Sequence, residues 1–239
     1  MACFIGTSGW YYPHWIERFY PQEILKKDLL AYFSSHFSTV ELNNSFYHLP
    51  RKENFENWYR KTPRGFVFSV KASRTITHYK RLVDTEESLN LFLERVLSLK
   101  EKLGPILYQL PPSLEKDIDL LKHFLFSLPT HLRQTIEFRH SSWLDEEVFT
   151  LLQRFNIAYC IISMGNFPVC LRASADFVYI RMHGAVRTIS YSERELKEWA
   201  GYIKKFLKEG KDVYVYFNND YQGYAVENAK TLKELLEGR

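Results

Sequence analysis

Eight short segments, each largely apolar or alternating between apolar and polar residues, recur along this chain at intervals that average one βα unit. They are Phe4–Gly9, Ser38–Asn44, Gly65–Ser73, Pro105–Pro111, Gln134–His140, Ile157–Ser163, Phe177–Gly184 and Asp212–Asn218, centred near residues 6, 42, 69, 108, 137, 160, 180 and 216. First centre to last spans 210 residues in seven steps, or 30 residues per step. A strand with its crossover helix takes roughly 30 residues, and eight such units build a barrel of roughly 250. The chain has 239 residues, 46% of them hydrophobic, enough to fill one core of that size. The expected fold is a single TIM-like (β/α)8 barrel over residues 1–239.

Helical patterns occupy most of the intervals: Leu25–His36, Asn54–Lys61, Thr85–Leu103, Leu114–Leu128, Ser142–Phe155, a helix ending at Leu207, and Tyr224–Leu236. Asp84 or Thr85 is placed to cap the third of these. Ser142 stands before Asp145 and Glu146, acidic residues that suit a helix N-terminus. Ser192-Glu-Arg-Glu195 reads as a capping box. Met164–Asp176 is the exception, with 13 residues that include Gly165, Asn166 and Pro168. It is too short and too broken for a full crossover helix, so the sixth helix is expected to be reduced or missing. An open dinucleotide-binding sheet would need G-x-G-x-x-G after an early strand. Gly6-Thr-Ser-Gly9-Trp10 does not supply it, and no Walker motif occurs.

The alternation within the strands locates a site. Barrel strands send alternate residues inward, and the outward ones must be apolar to meet the helices. Val40 and Leu42 oppose Glu41 and Asn43; Phe68 and Val70 oppose Ser69 and Lys71; Ile136 and Phe138 oppose Glu137 and Arg139. Ile180 and Met182 oppose Tyr179, Arg181 and His183; Val215 and Phe217 oppose Tyr216 and Asn218. Gln109 stands beside Leu107 in the fourth strand. The inward polar set is therefore Glu41, Asn43, Lys71, Gln109, Glu137, Arg139, Arg181, His183 and Asn218, each in the later half of its strand. Active sites of this fold lie at that end, and so many interior charges demand partners. The set carries three fixed positive and two negative charges, which favours an anion as ligand. Trp10, Tyr11, Tyr12, Tyr47, His48, His78, His140 and Trp143 fall around the rim, where rings suit stacking on a sugar or a base.

Composition narrows the setting. Net charge is +4, from 32 basic and 28 acidic residues, which permits an anionic partner without demanding nucleic acid. Three cysteines, Cys3, Cys160 and Cys170, with no C-x-x-C, argue against a disulfide framework. Cys160 reads as a small buried apolar residue. With no secretory pattern at Met1–Trp10 and no run of about 18 apolar residues, the expectation is a cytoplasmic protein without a membrane span.

The assembled segments resemble the YecE-like family, a domain of unknown function. They are Gly6-Thr-Ser-Gly-Trp10, Thr39-Val-Glu-Leu-Asn-Asn-Ser-Phe-Tyr47, Phe68-Ser-Val-Lys-Ala-Ser73 with Thr77-His78, Leu103-Gly-Pro105 with Gln109-Leu-Pro-Pro112, Glu137-Phe-Arg-His-Ser-Ser-Trp143, Arg181-Met-His-Gly184 and Tyr216-Phe-Asn-Asn-Asp220. They run from the first strand to the last in family order. The resemblance implies a TIM-like barrel, similar at the level of fold to endonuclease IV and xylose isomerase-like proteins. It does not imply a reaction. Those barrels cluster His, Asp and Glu on metals, whereas here one His and two Glu stand among several cations.

Each candidate carries more than one reading. Glu41 and Glu137 are either an acid/base pair or the counter-ions of Lys71, Arg139 and Arg181. Lys71 is a base of lowered pKa, a Schiff-base residue or a counter-ion. His183 is an acid/base or a neutral hydrogen-bonding ring. Arg139 and Arg181 either clamp a phosphate or carboxylate or pair with the glutamates. Trp10 and Trp143 either line the site or cap the core. No cofactor is predicted, with a divalent metal on His183, Glu41 and Glu137 as a minor alternative. The leading expectation is an enzyme for a phosphorylated sugar, nucleotide or nucleic-acid fragment. Glu41, Lys71, Glu137 and His183 would handle protons, and Trp10, Asn43, Asn44, Tyr47, Gln109, Arg139, Trp143, Arg181 and Asn218 would bind substrate. Two alternatives stand beside it: a non-catalytic ligand or nucleic-acid binding module, and a neutral-carbohydrate glycosidase. The glycosidase requires the two carboxyl groups about 5–10 Å apart, and a bridge from both to arginine would count against it.

Overall fold

The computed structural model describes residues 1–165, 167–184 and 189–238. Eight parallel strands form one sheet: β1 (Cys3–Thr7), β2 (Thr39–Leu42), β3 (Val67–Lys71), β4 (Leu103–Gln109), β5 (Gln134–Glu137), β6 (Ala158–Met164), β7 (Phe177–Gly184) and β8 (Asp212–Phe217). From β2 to β8 each strand pairs with its sequence neighbour, and β1 pairs with β8. Between β1 and β2 the ring is joined just past the strand ends, by a single parallel bridge from Ser8 to Glu41 and by Gly9 N–H donating to Glu41 O at 2.8 Å. This is the eight-stranded α/β barrel that the 30-residue rhythm predicts.

The seam depends on Gly6. A Cβ there would stand 2.2 Å from Thr39 O, so any side chain would push β1 off β2. Alternation then separates two apolar layers. Phe4, Leu107, Cys160, Phe177, Tyr179, Tyr214 and Tyr216 pack inside the ring. Val40, Phe68, Val70, Ile136, Ile180 and Val215 point outward into the larger layer beneath the helices. The Tyr216 hydroxyl meets those of Thr39 and Ser69, each at 2.7 Å, and so satisfies three interior groups at once.

The helices are α1 (Leu29–His36), α2 (Asn44–Tyr47), α3 (Lys52–Lys61), α4 (Glu86–Val96), α5 (Ile118–Ser127), α6 (Glu146–Arg154), α7 (Glu193–Lys208) and α8 (Tyr224–Glu237). The capping box at Ser192 and Glu195 is formed in full. Several ends differ from the sequence expectation for local reasons. The third expected helix stops at Val96 and passes into a 3-10 turn, where Lys100 adopts φ +51°. Asp145, rather than Ser142, caps α6 by accepting from Glu147 N. Asp117 likewise caps α5, which starts at Ile118 rather than Leu114. The one-turn helix α2 was not foreseen.

Among the described residues between β6 and β7 none is helical, as the short interval predicts; Asn166 lies outside the described residues. Hydrogen bonds hold this segment in place of a helix. Ser174 Oγ accepts from Tyr159 N at 2.6 Å and donates to Ile157 O at 2.8 Å. Lys211 Nζ donates to Ala175 O at 2.6 Å. Among the described residues no helix is long and apolar enough to cross a membrane.

Candidate active site

Arg181 is the centre of the site. It leaves β7 pointing inward between two carboxylates, donating from Nη1 to Glu137 Oε2 at 2.7 Å and from Nη2 to Glu41 Oε1 at 2.8 Å. Arg181 is 1% exposed, and both glutamates are fully buried. Each glutamate has further donors. Ser8 Oγ and the Tyr179 hydroxyl reach Glu41 at 2.6 and 2.7 Å. Gln109 Nε2 reaches Glu137 Oε1 at 2.7 Å, Arg139 Nε donates to the same oxygen, and the Cys160 thiol lies against Oε2 at 3.7 Å. Such dense donation offsets much of the desolvation of an interior carboxylate.

Above this sealed pair sit the cations that face the mouth. Lys71 Nζ donates to Gln109 Oε1 at 2.6 Å and lies 3.8 Å from the centre of the Phe46 ring. Arg139 keeps 15% of its side chain exposed. Its Nη1 donates to Met164 Sδ, and its Nη2 stands 3.1 Å from His183 Nε2. On the other side of that ring, Nδ1 lies 3.0 Å from the Asn218 amide. Arginine has donors only, so Nε2 of His183 accepts. A neutral ring then carries its proton on Nδ1, and the Asn218 amide accepts it once turned so that its oxygen takes the place of the Nδ2 set against the ring.

The charges follow from the same contacts. Burial opposes the ionised form of Glu137, but Arg181, Arg139, His183 and Lys71 outweigh it and hold the carboxyl well below its ordinary range. Burial, and then Arg181, push Lys71 down to about 8 against the pull of both glutamates. Burial and Arg181 push His183 down to about 3, so the ring is neutral at physiological pH. Arg181 is raised well above its usual value: its own burial works against the charge, and Glu137 and Glu41 more than restore it.

A family described as "Protein of unknown function DUF72" matches residues 4–239. The chain belongs to the DUF72 family. The UPF0759 protein YunF of Bacillus subtilis (strain 168) is 29% identical over 273 aligned positions, covering 98% of this chain and 94% of that protein. The UPF0759 protein YecE of Escherichia coli (strain K12) is 31% identical over 151 positions, 62% of this chain and 53% of that one. A DUF72 protein of known structure from Thermotoga maritima MSB8 superposes with a TM-score of 0.90 at 30% identity, over 99% of this chain and 100% of that one. Another, from Enterococcus faecalis V583, shares the fold with a TM-score of 0.83 at 21% identity, over 99% and 98%.

In this DUF72 barrel, eight of the nine inward polar residues join one hydrogen-bonded network. They are Glu41, Lys71, Gln109, Glu137, Arg139, Arg181, His183 and Asn218. Asn43 follows β2 beside them, and its buried Oδ1 has no hydrogen-bond partner. Asn44 is exposed and accepts from Ser45 N at 3.0 Å. Tyr47 is 59% exposed, with the Arg74 guanidinium 5.7 Å from its ring centre. Trp10 is half-buried, edge-on to Trp58 at 5.3 Å. Trp143 is fully buried, stacked on Phe138 at 4.7 Å, and donates to Leu114 O at 2.7 Å; it offers the mouth no surface.

Ser8, Tyr179, Cys160 and Met164 also touch the network, and the inward set read from sequence omits them. Tyr179 stands two residues before Arg181 on the same inward face, so alternation contained the signal. Arg181 bridges both glutamates, the observation named above as counting against the glycosidase alternative. Among the described residues, no three His, Cys, Asp or Glu side chains gather in a way that could hold a metal ion. Arg181 fills the space between the two carboxylates.

Proposed function

We propose that the mouth of the barrel binds a small phosphate-bearing substrate, with Lys71 exchanging protons with it. One observation carries the reading: within the inward network the charged groups nearest the mouth are cations, and its carboxylates lie sealed beneath them. Lys71 is 8% exposed and Arg139 retains some access, whereas Glu41 and Glu137 have none. An entering ligand meets positive charge backed by buried counter-ions, an arrangement suited to recognising phosphate oxygens.

In this reading Glu41 and Glu137 fix the cations and do not themselves exchange protons. Glu137 stays ionised at any working pH. His183 is a neutral ring that orients Arg139, because its pKa of about 3 leaves it a weak base. Lys71, at about 8, is about one-tenth deprotonated at pH 7 and works as general acid or base near neutrality. Arg139, Gln109, Asn43 and Asn218 hold the substrate.

A thermal-shift panel of phosphate esters against the matching neutral sugars tests this. Saturation at 100 times Kd adds about 2.7 kcal/mol, and for a chain of this size each kcal/mol raises Tm by about 2–4 °C. The esters should raise Tm by about 5–10 °C, and Lys71→Met with Arg139→Gln should abolish the rise. Stabilisation by neutral sugars alone would overturn the proposal.

A further inference from the structure

We infer that a cavity beside the cationic floor takes a planar heteroaromatic ring of the same ligand, making that ligand a nucleoside phosphate. The inference rests on the phosphate-binding reading above. The cavity, about 380 Å³, opens at the C-terminal ends of β1 and β2. Trp10, Tyr11 and Tyr12 wall it, with Leu29 and Leu42 behind. Its volume is within the range of small-ligand pockets, whose walls are mostly apolar and aromatic with a few placed polar groups.

Lys26, Asn43 and Asn44 are its polar lining residues. The Oδ1 of Asn43 is buried without a hydrogen-bond partner. Buried acceptors are rarely left unpaired, and an exception calls for an explanation. Turned towards the cavity, the Asn43 amide would pair with a ring N–H or exocyclic amine on the ligand. Flat aromatic faces stack on tryptophan and tyrosine.

The cavity and the floor are adjacent. Leu42 pairs with Val70, and the next residues on the two strands are Asn43, which caps α2, and Lys71. Tyr12, a cavity wall, donates to Ser8 O at 2.6 Å, and the Ser8 hydroxyl donates to Glu41. A ribose would join a ring in this cavity to a phosphate on Lys71 and Arg139.

Calorimetric titration of the full chain with the ribonucleoside 5′-monophosphates, ribose 5-phosphate and adenosine tests this. At least one nucleotide should bind about tenfold or more tighter than ribose 5-phosphate, the gain expected from base stacking. Tyr11→Ala should remove most of that gain and leave ribose 5-phosphate affinity unchanged; Tyr11 is exposed, so the variant keeps the fold. Asn43→Ala should weaken nucleotide binding in the same sense. If nucleotides and ribose 5-phosphate bind alike, the ring cavity is refuted while phosphate recognition stands. If adenosine binds in a Tyr11-dependent way and no phosphate compound adds affinity, phosphate recognition is refuted and the ring cavity stands. If nothing binds, both fail.

Discussion

Replacing Arg181 with methionine keeps side-chain length and removes the charge that bridges the two buried glutamates. The wild-type guanidinium is 1% exposed and makes two bonds, of 2.7 and 2.8 Å, to carboxylates with no exposure. Removing one partner of a buried ion pair costs about 3–5 kcal/mol, because the other charge stays buried and uncompensated. With a urea m-value of about 2–3 kcal/mol/M, the unfolding midpoint should fall by about 1–2.5 M. The cost must also depend on pH. In the wild type the carboxyl of Glu137 titrates below its unfolded value of 4.5, so its stabilising contribution is complete above that pH and is lost only as pH falls through the lower folded value. Between pH 7 and 5 it is flat. Without Arg181, burial raises the pKa, and protonation at pH 5 relieves the unpaired charge. The gap between variant and wild type should therefore narrow from pH 7 to pH 5. A double-mutant cycle with Glu137→Gln should give a coupling of about 1–3 kcal/mol. A loss below about 1 kcal/mol, or a gap independent of pH, would refute the idea that Arg181 holds this site together.

Three further outcomes follow from the same geometry. Lys71 titrates near 8 folded and near 10.5 unfolded, so the unfolded state binds more protons between those values; stability should rise with pH across that window by about 3 kcal/mol at most, and Lys71→Met should flatten the rise in urea melts. Nitrogen NMR of the His183 ring should show a proton on Nδ1, a bare Nε2 and no titration between pH 5 and 8, whereas a midpoint near 6.5 would contradict the contacts with Arg139 and Asn218. Gly6→Ala should cost about 1–3 kcal/mol in denaturant melts, the usual range for overpacking, because the added methyl meets a backbone oxygen at 2.2 Å; a neutral result would mean that the β1–β2 seam yields.

Much of the architecture was legible because it rests on period alone. A 30-residue rhythm sets strand count, and a period of two sets which face each strand residue takes. That is why Glu41, Lys71, Glu137 and Arg181 could be placed together from four separate segments. Pairing was not legible, because it depends on side-chain reach across the ring. Nothing in the local sequence tells whether Arg181 would turn to one carboxylate or to both, or that Lys71 would choose Gln109 instead of a glutamate. Trp143 lies two residues before a helix cap, where a rim position and a core position look alike; packing on Phe138 decides for the core. Ser8 falls inside the expected first strand, four residues after the inward Phe4, but it carries no charge to single it out. The ends of α4 and α6 shifted because single residues, Lys100 with positive φ and Asp145 as cap, override propensity.

The central claim is that the mouth-facing cations receive the anion while the buried arginine stays with its glutamates. Side-chain NMR of the arginine Nε–H and lysine Nζ groups during titration with a phosphate ester tests it most directly. The account predicts saturable shifts at Arg139 and Lys71 and an unmoved signal from Arg181. Shifts spread evenly over surface lysines, with Arg139 and Lys71 unaffected, would contradict it.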